Sequence, residues 1–246
     1  ISELLEKKVH ETILEVNLDA VVHNFNYYRS KLKPETKMVC MVKAFGYGAG
    51  SYELAKTLQE HRCDYLAVAV ADEGEELRKE GISIPLIVMN PEFSSFNVLF
   101  ENQLEPEVYS FHLLEELIKA AGREGVSNFP IHIKIDTGMH RLGFAPEEIP
   151  ALVDRLHRQS AVIPRSVFSH LVGSDAERFD SFTRRQIETF ENASAELQAG
   201  FSHKILRHIC NTAGIERYPG AQFDMVRLGI GLYGIDPFTN KILHNV

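Results

Sequence analysis

A lysine at the end of an apolar run is the first residue whose type and setting suggest covalent chemistry. Lys43 follows the run Lys37–Val42 and opens the stretch Lys-Ala-Phe-Gly-Tyr-Gly-Ala-Gly, which ends at Gly50. The amine of such a lysine can form a Schiff base with a carbonyl compound, and the glycines allow the backbone to approach a ligand closely. Tyr47 lies four residues further on and is predicted to extend its hydroxyl into the same space.

Other reactive side chains follow later apolar runs, at the points where the predicted strands end. They are Asp136 and Arg141 after the fifth run, His170 after the sixth, Asn211 and Thr212 after the seventh, and Arg227 at the end of the eighth. In a barrel of parallel strands, these positions lie at the same carboxyl-terminal mouth, where active sites are assembled. A single lysine or histidine is more often solvated or structural, so the prediction depends on the coincidence across several strands.

A second feature predicts a phosphate site opposite the lysine. The segments Asn211-Thr-Ala-Gly214 and Gly229-Ile-Gly231 follow the seventh and eighth runs. Barrels commonly bind phosphate there, on loop amides and the N-terminus of a short helix. A lysine that faces a phosphate site indicates a phosphorylated carbonyl compound as ligand. Pyridoxal 5'-phosphate (PLP) meets this description, and so does the sugar phosphate of a Schiff-base aldolase, so the residues leave both open.

Two further patterns carry less weight. The segment Gly229–Gly234 has the spelling of a dinucleotide-binding GxGxxG motif, but it runs into Asp236-Pro237 and the chain soon ends. A dinucleotide site needs a helix directly after the motif and an acidic residue about 20 positions later. His203 and His208 lack the tight spacing of metal ligands, so no metal site is predicted.

Apolar runs alternate with helical patterns along nearly the whole chain. The strand candidates are Lys37–Val42, Tyr65–Val70, Pro85–Met89, Glu107–Tyr109, Ile131–Ile135, Ser166–Ser169, Leu206–Cys210 and Met225–Leu228. The helical patterns cover Leu18–Leu32, Glu53–Glu60, Asp72–Glu80, His112–Ala121, Pro146–Arg158 and Phe179–Leu197. This alternation predicts the α/β class and a (β/α)8 TIM-type barrel, with a doubly wound sheet as the competing topology. Thr12–Val16 is predicted as a separate strand outside the barrel.

Composition narrows the partners and the compartment. The net charge of -8 argues against a surface that neutralises nucleic-acid phosphates. No apolar run reaches the roughly 18 residues of a membrane span, and the amino terminus has no signal-peptide pattern. The 3 cysteines without a CxxC pairing are typical of buried thiols in a reducing compartment. The sequence therefore predicts a cytoplasmic protein without nucleic-acid or membrane partners.

Several motifs, taken in order, resemble those of the alanine racemase family over about Glu11 to Phe238. They are Val42-Lys-Ala-Phe-Gly-Tyr-Gly-Ala-Gly50, Leu66-Ala-Val-Ala, Lys134-Ile-Asp-Thr-Gly-Met-His-Arg-Leu-Gly143, Ser169-His-Leu171, Asn211-Thr-Ala-Gly214 and Val226-Arg-Leu-Gly-Ile-Gly-Leu-Tyr-Gly234. Several are weak alone, but the ordered set is highly specific. The resemblance implies a PLP-dependent racemase that interconverts L-alanine and D-alanine and so supplies D-alanine for the peptidoglycan of the cell wall.

The resemblance also implies a role for each matching residue. Lys43 would bind PLP covalently and act as one of two catalytic bases. Arg141 would meet the cofactor's phenolic oxygen and the substrate carboxylate, and His170 would support Arg227 and the opposite base. Arg227 would hydrogen-bond the pyridine nitrogen, and Lys134 matches a lysine that is often carbamylated in this family. The other cofactor-binding residues implied are Tyr47, Asn211, Thr212, Gly229 and Ile230.

The family pattern divides the chain into three segments. They are an N-terminal extension (1–10), the PLP-binding barrel (11–238) and a tail (239–246) that leads toward the family's C-terminal β domain. That domain is expected to be absent, and with it the tyrosine that acts as the opposite base from the other subunit of a homodimer. The chain alone is therefore expected to bind PLP weakly and to racemise alanine poorly. Phe45 and Ala49 stand where the family usually has a smaller or polar residue and a histidine.

Three other functions are compatible with parts of this pattern. A non-catalytic PLP-binding barrel has a similar length, but its lysine motif lacks the Lys-Ala-x-Gly-Tyr-Gly pattern found here. A PLP-dependent amino-acid decarboxylase of the same barrel type is expected to place a carboxylate near the pyridine nitrogen, where Arg227 stands. The third is a sensor or assembly role, with the barrel as one module of a larger polypeptide.

Overall fold

Parallel strands form a nearly closed barrel in the computed structural model, which describes residues 14–239 and 242–246. The strands are β1 (Lys37–Met41), β2 (Tyr65–Val68), β3 (Leu86–Val88), β4 (Leu104–Val108), β5 (Phe129–Lys134), β6 (Val162–Phe168), β7 (Leu206–His208) and β8 (Met225–Leu228). Their order is β7-β6-β5-β4-β3-β2-β1-β8. Hydrogen bonds from Asp224 N to Arg207 O (3.1 Å) and from Arg227 N to Cys210 O (2.9 Å) bring β7 and β8 together. The predicted (β/α)8 barrel is confirmed.

The doubly wound alternative is wrong, because β1 lies between β2 and β8 and the remaining strands follow one another in sequence order. The predicted strand Thr12–Val16 begins outside the described residues, and residues 14–16 are not in a strand. The predicted extension over residues 1–10 also lies outside the described part of the chain.

Helices alternate with the strands along the chain, and the longer helices cover the outside of the barrel. They are α1 (Leu18–Arg29), α2 (Lys43–Tyr47), α3 (Ser51–Glu60), α4 (Ala71–Lys79), α5 (Phe96–Glu101), α6 (Phe111–Glu124), α7 (Ile149–His157), α8 (Asp180–Ala199) and α9 (Thr212–Arg217). Each predicted helix is present with shifted bounds. The sequence does not predict α5, because its 6 residues complete fewer than two turns and show no clear periodicity. No helix among the described residues has both the length and the apolar composition needed to cross a membrane.

The helix α6 shows how local sequence signals set these elements. Ser110 caps its start, where the hydroxyl accepts a hydrogen bond from Leu113 N at 3.2 Å. Gly125 follows its last residue with a φ of 67°, a left-handed conformation that glycine adopts without steric cost. Leu113, Leu117 and Ala121 recur at helical spacing and are buried against the barrel.

The interior of the barrel has an apolar side and a polar side. On β1–β3 the buried interior residues are apolar and pack together with Met225: Val39, Met41, Tyr65, Ala67 and Ile87. On β4–β8 alternate strand positions carry buried polar residues: Glu105, Glu107, His132, Lys134, Ser166, His208 and Arg227. Because successive strand residues point to opposite faces, neighbours such as Ile133 and Val167 join the core between strands and helices. The polar side brings ionisable groups beneath the carboxyl-terminal mouth.

Candidate active site

The segment after β1 opens with Lys43 and continues directly into a left-handed turn. Within α2, Ala44, Phe45, Gly46 and Tyr47 have φ values of 54°, 52°, 58° and 54°. A left-handed conformation costs a residue with a Cβ atom roughly 1–2 kcal/mol. A run of such residues persists only where the surrounding structure imposes it, which is typical of functional sites. The candidate reactive lysine therefore lies beside a strained segment.

Glu73, in the first turn of α4, holds this left-handed turn against the end of β2. Its Oε1 accepts hydrogen bonds from the backbone nitrogens of Ala44 (2.7 Å) and Phe45 (3.4 Å), and its Oε2 accepts from that of Ala69 (2.7 Å). An acidic residue in the first turn of a helix is common, so the sequence alone does not single out Glu73. Its contribution to the site becomes visible only in the folded barrel.

A cavity of about 270 Å³ opens at the carboxyl-terminal mouth of the barrel. All the predicted catalytic, cofactor-binding and modified residues line it: Lys43, Tyr47, Lys134, Arg141, His170, Asn211, Thr212, Arg227, Gly229 and Ile230. Met41, Phe168 and Leu171 add apolar surface to its wall. Its volume lies just below the usual range for small-molecule sites, about 300–1,000 Å³. Residues from distant parts of the sequence thus form one site of a size that suits a small ligand.

Asp136, the remaining polar residue of the predicted mouth, shapes a loop instead of lining the cavity. Its Oδ1 accepts hydrogen bonds from the backbone nitrogens of Gly138 (2.9 Å) and His140 (3.0 Å). Its Oδ2 lies 3.1 Å from His140 Nδ1. These contacts fix the segment that leads to Arg141, so Asp136 acts on the site through the backbone.

The loops after β7 and β8 form a wall of hydroxyl and amide groups. Thr212 Oγ1 accepts hydrogen bonds from the backbone nitrogens of Gly229 (3.1 Å) and Gly231 (3.3 Å), which ties the two loops together. A Cβ atom at Gly229 would lie 3.8 Å from both Thr212 Oγ1 and Tyr47 Oη, so these hydroxyls converge on the glycine. Asn211 caps α9 and accepts from a backbone nitrogen of its first turn at 2.9 Å. Groups of this kind are suited to bind phosphate.

Arg227 on β8 is only 4% exposed and contacts several acceptors. Its Nη1 donates to His208 Nδ1 (2.8 Å), and its Nη2 donates to the carbonyl oxygens of Ser169 (2.6 Å) and Ile209 (3.2 Å). Burial lowers the pKa of Arg227 to about 10, so the guanidinium remains charged at neutral pH. The family resemblance implies that His170 supports Arg227. In the structure, His208 hydrogen-bonds Arg227, and the sequence analysis considers His208 only as a metal ligand, which it rejects.

His170 follows β6, and its imidazole faces several positive charges. Burial lowers its pKa to about 3, and the charges of Arg227 and Arg141 lower it further in the same direction. The ring is therefore neutral at neutral pH and has one nitrogen that can accept a hydrogen bond. Its backbone oxygen accepts from Gln186 Nε2 at 3.0 Å, which fixes the loop after β6.

Lys134, at the end of β5, pairs with Glu107 on the neighbouring strand β4. Lys134 Nζ lies 3.1 Å from Glu107 Oε1, and the two side chains are 5% and 1% exposed. Burial lowers the pKa of Lys134 and raises that of Glu107, while the opposite charge of each partner counteracts both shifts. Arg141 is exposed at the cavity and adds a further positive charge to this cluster.

The sequence prediction misses Glu107 as a site residue. It places the start of the strand at Glu107, whereas β4 runs from Leu104 to Val108. The signal that could have revealed it is a pair of acidic residues, Glu105 and Glu107, at alternate positions of one short strand. Acidic residues are rarely buried without a partner, so such a pair on an interior strand indicates basic partners on the adjacent strands.

The family of this chain is identified by comparison with known proteins. A family model described as "Alanine racemase, N-terminal domain" matches residues 16–237. Alanine racemase 2 of Caldanaerobacter subterraneus subsp. tengcongensis is 35% identical over 240 residues, which cover 96% of this chain and 61% of that protein. Alanine racemase 1 of Oceanobacillus iheyensis is 34% identical over 228 residues, which cover 91% of this chain and 60% of that protein.

Solved structures agree with this result. An alanine racemase of Clostridium difficile 630 has a TM-score of 0.85 at 30% identity, covering 92% of this chain and 60% of that one. An alanine racemase from Bacillus anthracis with bound L-Ala-P has a TM-score of 0.83 at 29% identity, covering 90% of this chain and 57% of that one. The chain spans about 60% of the length of the curated relatives it matches. It belongs to the alanine racemase family and matches the N-terminal domain of that family over most of its length.

Proposed function

We propose that this protein is a PLP-dependent alanine racemase whose cofactor and one catalytic base lie in the barrel cavity. The observation that carries the proposal is the convergence of Lys43, Tyr47, Thr212 and Arg227 on one cavity at the mouth of the barrel. Membership of the alanine racemase family supports the same reaction. The predicted boundaries, with the barrel over 11–238 between an extension and a tail, belong to this proposal.

The donor set of the cavity supports PLP as the cofactor. Lys43 offers an amine for the aldehyde, and a phosphate fits the wall formed by Tyr47, Asn211, Thr212, Gly229 and Ile230. The buried guanidinium of Arg227 lines the same cavity, where it would donate a hydrogen bond to the ring nitrogen. When bound, PLP supplies an electron sink that acidifies the Cα–H of an amino acid.

In the proposed reaction, the residues of this chain hold and move protons at defined atoms. The amine of Lys43 removes a proton from the substrate Cα on one face or returns it there. Arg227 keeps its own proton because its pKa is about 10. Arg227 would therefore hydrogen-bond the ring nitrogen of bound PLP without giving up a proton, which would weaken electron withdrawal and limit side reactions. Arg141 would bind the substrate carboxylate and the phenolic oxygen of the cofactor, and His170 would support the opposite base.

Racemisation exchanges a proton between two faces of Cα, so a second base must face Lys43 from the other side. The family pattern assigns this base to a tyrosine of the partner subunit in a homodimer, in a region of the relatives that this chain does not span. Apolar side chains at the mouth support such a contact: Phe45 is 65% exposed, Tyr47 48% and Ile230 40%. Exposed apolar side chains near one another are typical of surfaces that pack against another protein.

Alanine is the proposed substrate, because the cavity is small and its walls combine charged groups with Met41 and Leu171. One solved relative is an alanine racemase in complex with cycloserine, and it covers 90% of this chain at a TM-score of 0.85. The proposed product, D-alanine, is a precursor of peptidoglycan, which places the enzyme in cell-wall synthesis. The proposed compartment is the cytoplasm, which agrees with the free, buried thiols of Cys40, Cys63 and Cys210.

The test compares this chain with a chimera that adds the remaining part of the Oceanobacillus iheyensis relative. Both proteins are saturated with PLP and assayed for D-alanine formed from L-alanine. We expect the chimera to racemise alanine and the chain alone to be slower by about 10²–10⁴-fold, because positioned proton transfer contributes that factor. Lys43→Ala in the chimera is the matched control and is expected to abolish turnover.

Three outcomes would change this assignment. Comparable turnover by the chain alone would place both bases within these residues. A chimera that carries PLP on Lys43 but leaves L-alanine unchanged would favour the non-catalytic PLP-binding barrel. Release of carbon dioxide from an amino acid in place of racemisation would favour the decarboxylase.

A further inference from the structure

Beneath the cavity, buried polar side chains of β4 to β8 form a continuous series of hydrogen bonds. Glu105 Oε2 lies 2.7 Å from His132 Nε2, and His132 Nδ1 lies 2.5 Å from Ser166 Oγ. Ser166 Oγ lies 2.9 Å from His208 Nε2, and His208 Nδ1 accepts from Arg227 Nη1 at 2.8 Å. We call these residues (Glu105, His132, Ser166, His208 and Arg227) the core relay.

The core relay connects the two ends of the barrel. Arg227 borders the cavity at the carboxyl-terminal mouth. Glu105 borders a second, polar cavity of about 470 Å³ near the amino-terminal ends of the strands, which is also lined by Arg165. His132 and Ser166 are fully buried between them. Because buried polar groups need hydrogen-bond partners, His132 and Ser166 must find their donors and acceptors among the residues of the core relay.

The guanidinium at one end of the core relay and the carboxylate at the other together set the direction of its hydrogen bonds. A guanidinium can only donate, so His208 Nδ1 must accept from Arg227. Burial and the charge of Arg227 lower the pKa of His208, so the ring is neutral, and its single proton lies on Nε2 and is donated to Ser166 Oγ. Ser166 then donates its hydroxyl proton to His132 Nδ1. The proton of His132 lies on Nε2 and is donated to the carboxylate of Glu105.

The reverse order fails at Arg227. If His132 carried its proton on Nδ1, it would donate to Ser166, and Ser166 would donate in turn to His208 Nε2. The neutral ring of His208 would then hold its proton on Nδ1, directly against the Nη1–H of Arg227 at 2.8 Å. Two donors would face each other in a buried site, which is unfavourable. The carboxylate of Glu105 accepts a hydrogen bond at the end of the relay opposite Arg227, which favours the order without this donor–donor contact.

We propose that Glu105 is a positioning residue for Arg227 and acts on it through the core relay. The carboxylate selects the Nε2–H form of His132, and this form orients the hydroxyl of Ser166. That hydroxyl selects the Nε2–H form of His208, whose Nδ1 then holds Arg227 in a fixed orientation beside the cavity. In the proposed racemase, this orientation aims Arg227 at the ring nitrogen of PLP. Only this last consequence rests on the proposed function.

The test uses 15N NMR of the histidine side chains in this chain, without cofactor. We expect the Nε2–H form at both His132 and His208. Glu105→Leu removes the terminal acceptor, so the proton of His132 is expected to move to Nδ1 and the 15N signals of His208 to shift with it. Glu105→Gln is the matched control, because its carbonyl oxygen can still accept from Nε2–H, and it is expected to retain the wild-type forms.

A second variant interrupts the core relay at its middle. Ser166→Ala leaves the bond between Glu105 and His132 intact, so His132 is expected to keep its Nε2–H form while the signals of His208 shift. This variant decides the outcome if Glu105→Leu does not fold. An Nδ1–H form of His208 in the wild type would overturn the proposal. Unchanged His208 signals in the folded relay variants would overturn it as well.

PLP affinity measures the consequence for the cavity separately. We expect Glu105→Leu to weaken PLP binding by about tenfold, since the loss of one hydrogen bond to a charged group corresponds to that factor or more, and Glu105→Gln to restore it. Shifted His208 signals with unchanged PLP affinity would overturn the positioning role. A chain that fails to racemise alanine leaves the NMR result unaffected, so the two proposals can fail independently.

Discussion

Lys134 and Glu107 form a buried ion pair beside the cavity, with Nζ 3.1 Å from Oε1. This pair places a carboxylate next to the lysine for which the family resemblance implies a carbamate. Carbamylation replaces the positive charge of Lys134 with a negative one, so the carbamate and the carboxylate of Glu107 would carry like charges at close range. The ammonium and carbamate forms of Lys134 therefore exclude each other, and the charge of Glu107 favours the ammonium form.

Glu107→Gln is expected to increase carbamylation of Lys134. The variant removes the charge that stabilises the ammonium form, and carbon dioxide reacts only with the neutral amine. The measurement is the carbamate signal in 13C NMR with labelled bicarbonate at neutral pH. Lys134→Ala gives the background. Equal signals in the wild type and in Glu107→Gln would show that the ion pair does not control the modification.

Borohydride reduction of the PLP-saturated chain should leave a pyridoxyl group on Lys43. Lys43 is the lysine that follows the carboxyl end of β1 and directly precedes the left-handed turn, and it lines the same cavity as Tyr47 and Thr212. Peptide mapping by mass spectrometry locates the label. Lys134→Ala is the matched control, because that lysine lines the same cavity and its loss should leave the label in place. A label on any other lysine would show that Lys43 is not the lysine that binds PLP.

Glu73→Ala is expected to release the left-handed turn and weaken PLP binding. The variant loses the carboxylate that accepts from Ala44 N, Phe45 N and Ala69 N. Hydrogen bonds to a charged group each contribute about 1.5–3 kcal/mol, so the affinity is expected to fall by tenfold or more. Hydrogen exchange at the amide of Ala44 should accelerate in parallel. Glu73→Gln retains one acceptor oxygen and should show an intermediate effect. An unchanged rate of hydrogen exchange at Ala44 in Glu73→Ala would show that Glu73 does not hold the left-handed turn.

The free energy of unfolding should rise with pH in the acidic range, in part because of His170. Burial lowers its pKa from 6.5 to about 3 in the folded chain, so the unfolded chain binds more protons between these values. The resulting stability is complete above the unfolded value and is lost as pH falls toward the folded one, by up to about 1.4 kcal/mol per pH unit for such a group. His208 contributes in the same direction.

Urea denaturation at several acidic pH values measures this slope. His170→Gln is expected to reduce it, because the side chain no longer titrates. His61→Gln, at an exposed position after α3, is the matched control and should keep the wild-type slope. If His170→Gln leaves the dependence of the unfolding free energy on pH unchanged, His170 does not contribute to it.

The barrel and its mouth could be predicted from sequence because both depend on local patterns. A near-continuous apolar run indicates a buried parallel strand, and the first residues after it must lie at the mouth. The predicted strand Met225–Leu228 therefore has the observed bounds, and Lys43 and His170 lie at the cavity as expected. The strand β4 is the exception at its start, because Glu105 and Pro106 are not typical of a buried strand.

The core relay could not be predicted, because each of its bonds joins residues that are remote in sequence. Glu105 and His132 are 27 positions apart, His132 and Ser166 are 34, and Ser166 and His208 are 42. Neither histidine has a local motif that indicates its partner. Only the register of neighbouring strands brings the side chains to the same level of the barrel interior.

The left-handed turn after Lys43 has a consequence for recognition. Ala44, Phe45 and Tyr47 already hold a backbone conformation that flexible peptides rarely visit, so a ligand does not have to order this loop when it binds. The entropy loss is incurred once, when the chain folds, and the backbone beside Lys43 keeps its conformation before any ligand arrives. Ala44→Gly would relax this backbone and widen the range of conformations of the loop. The chain thus accepts a lower folding stability in exchange for a preorganised loop at the cavity.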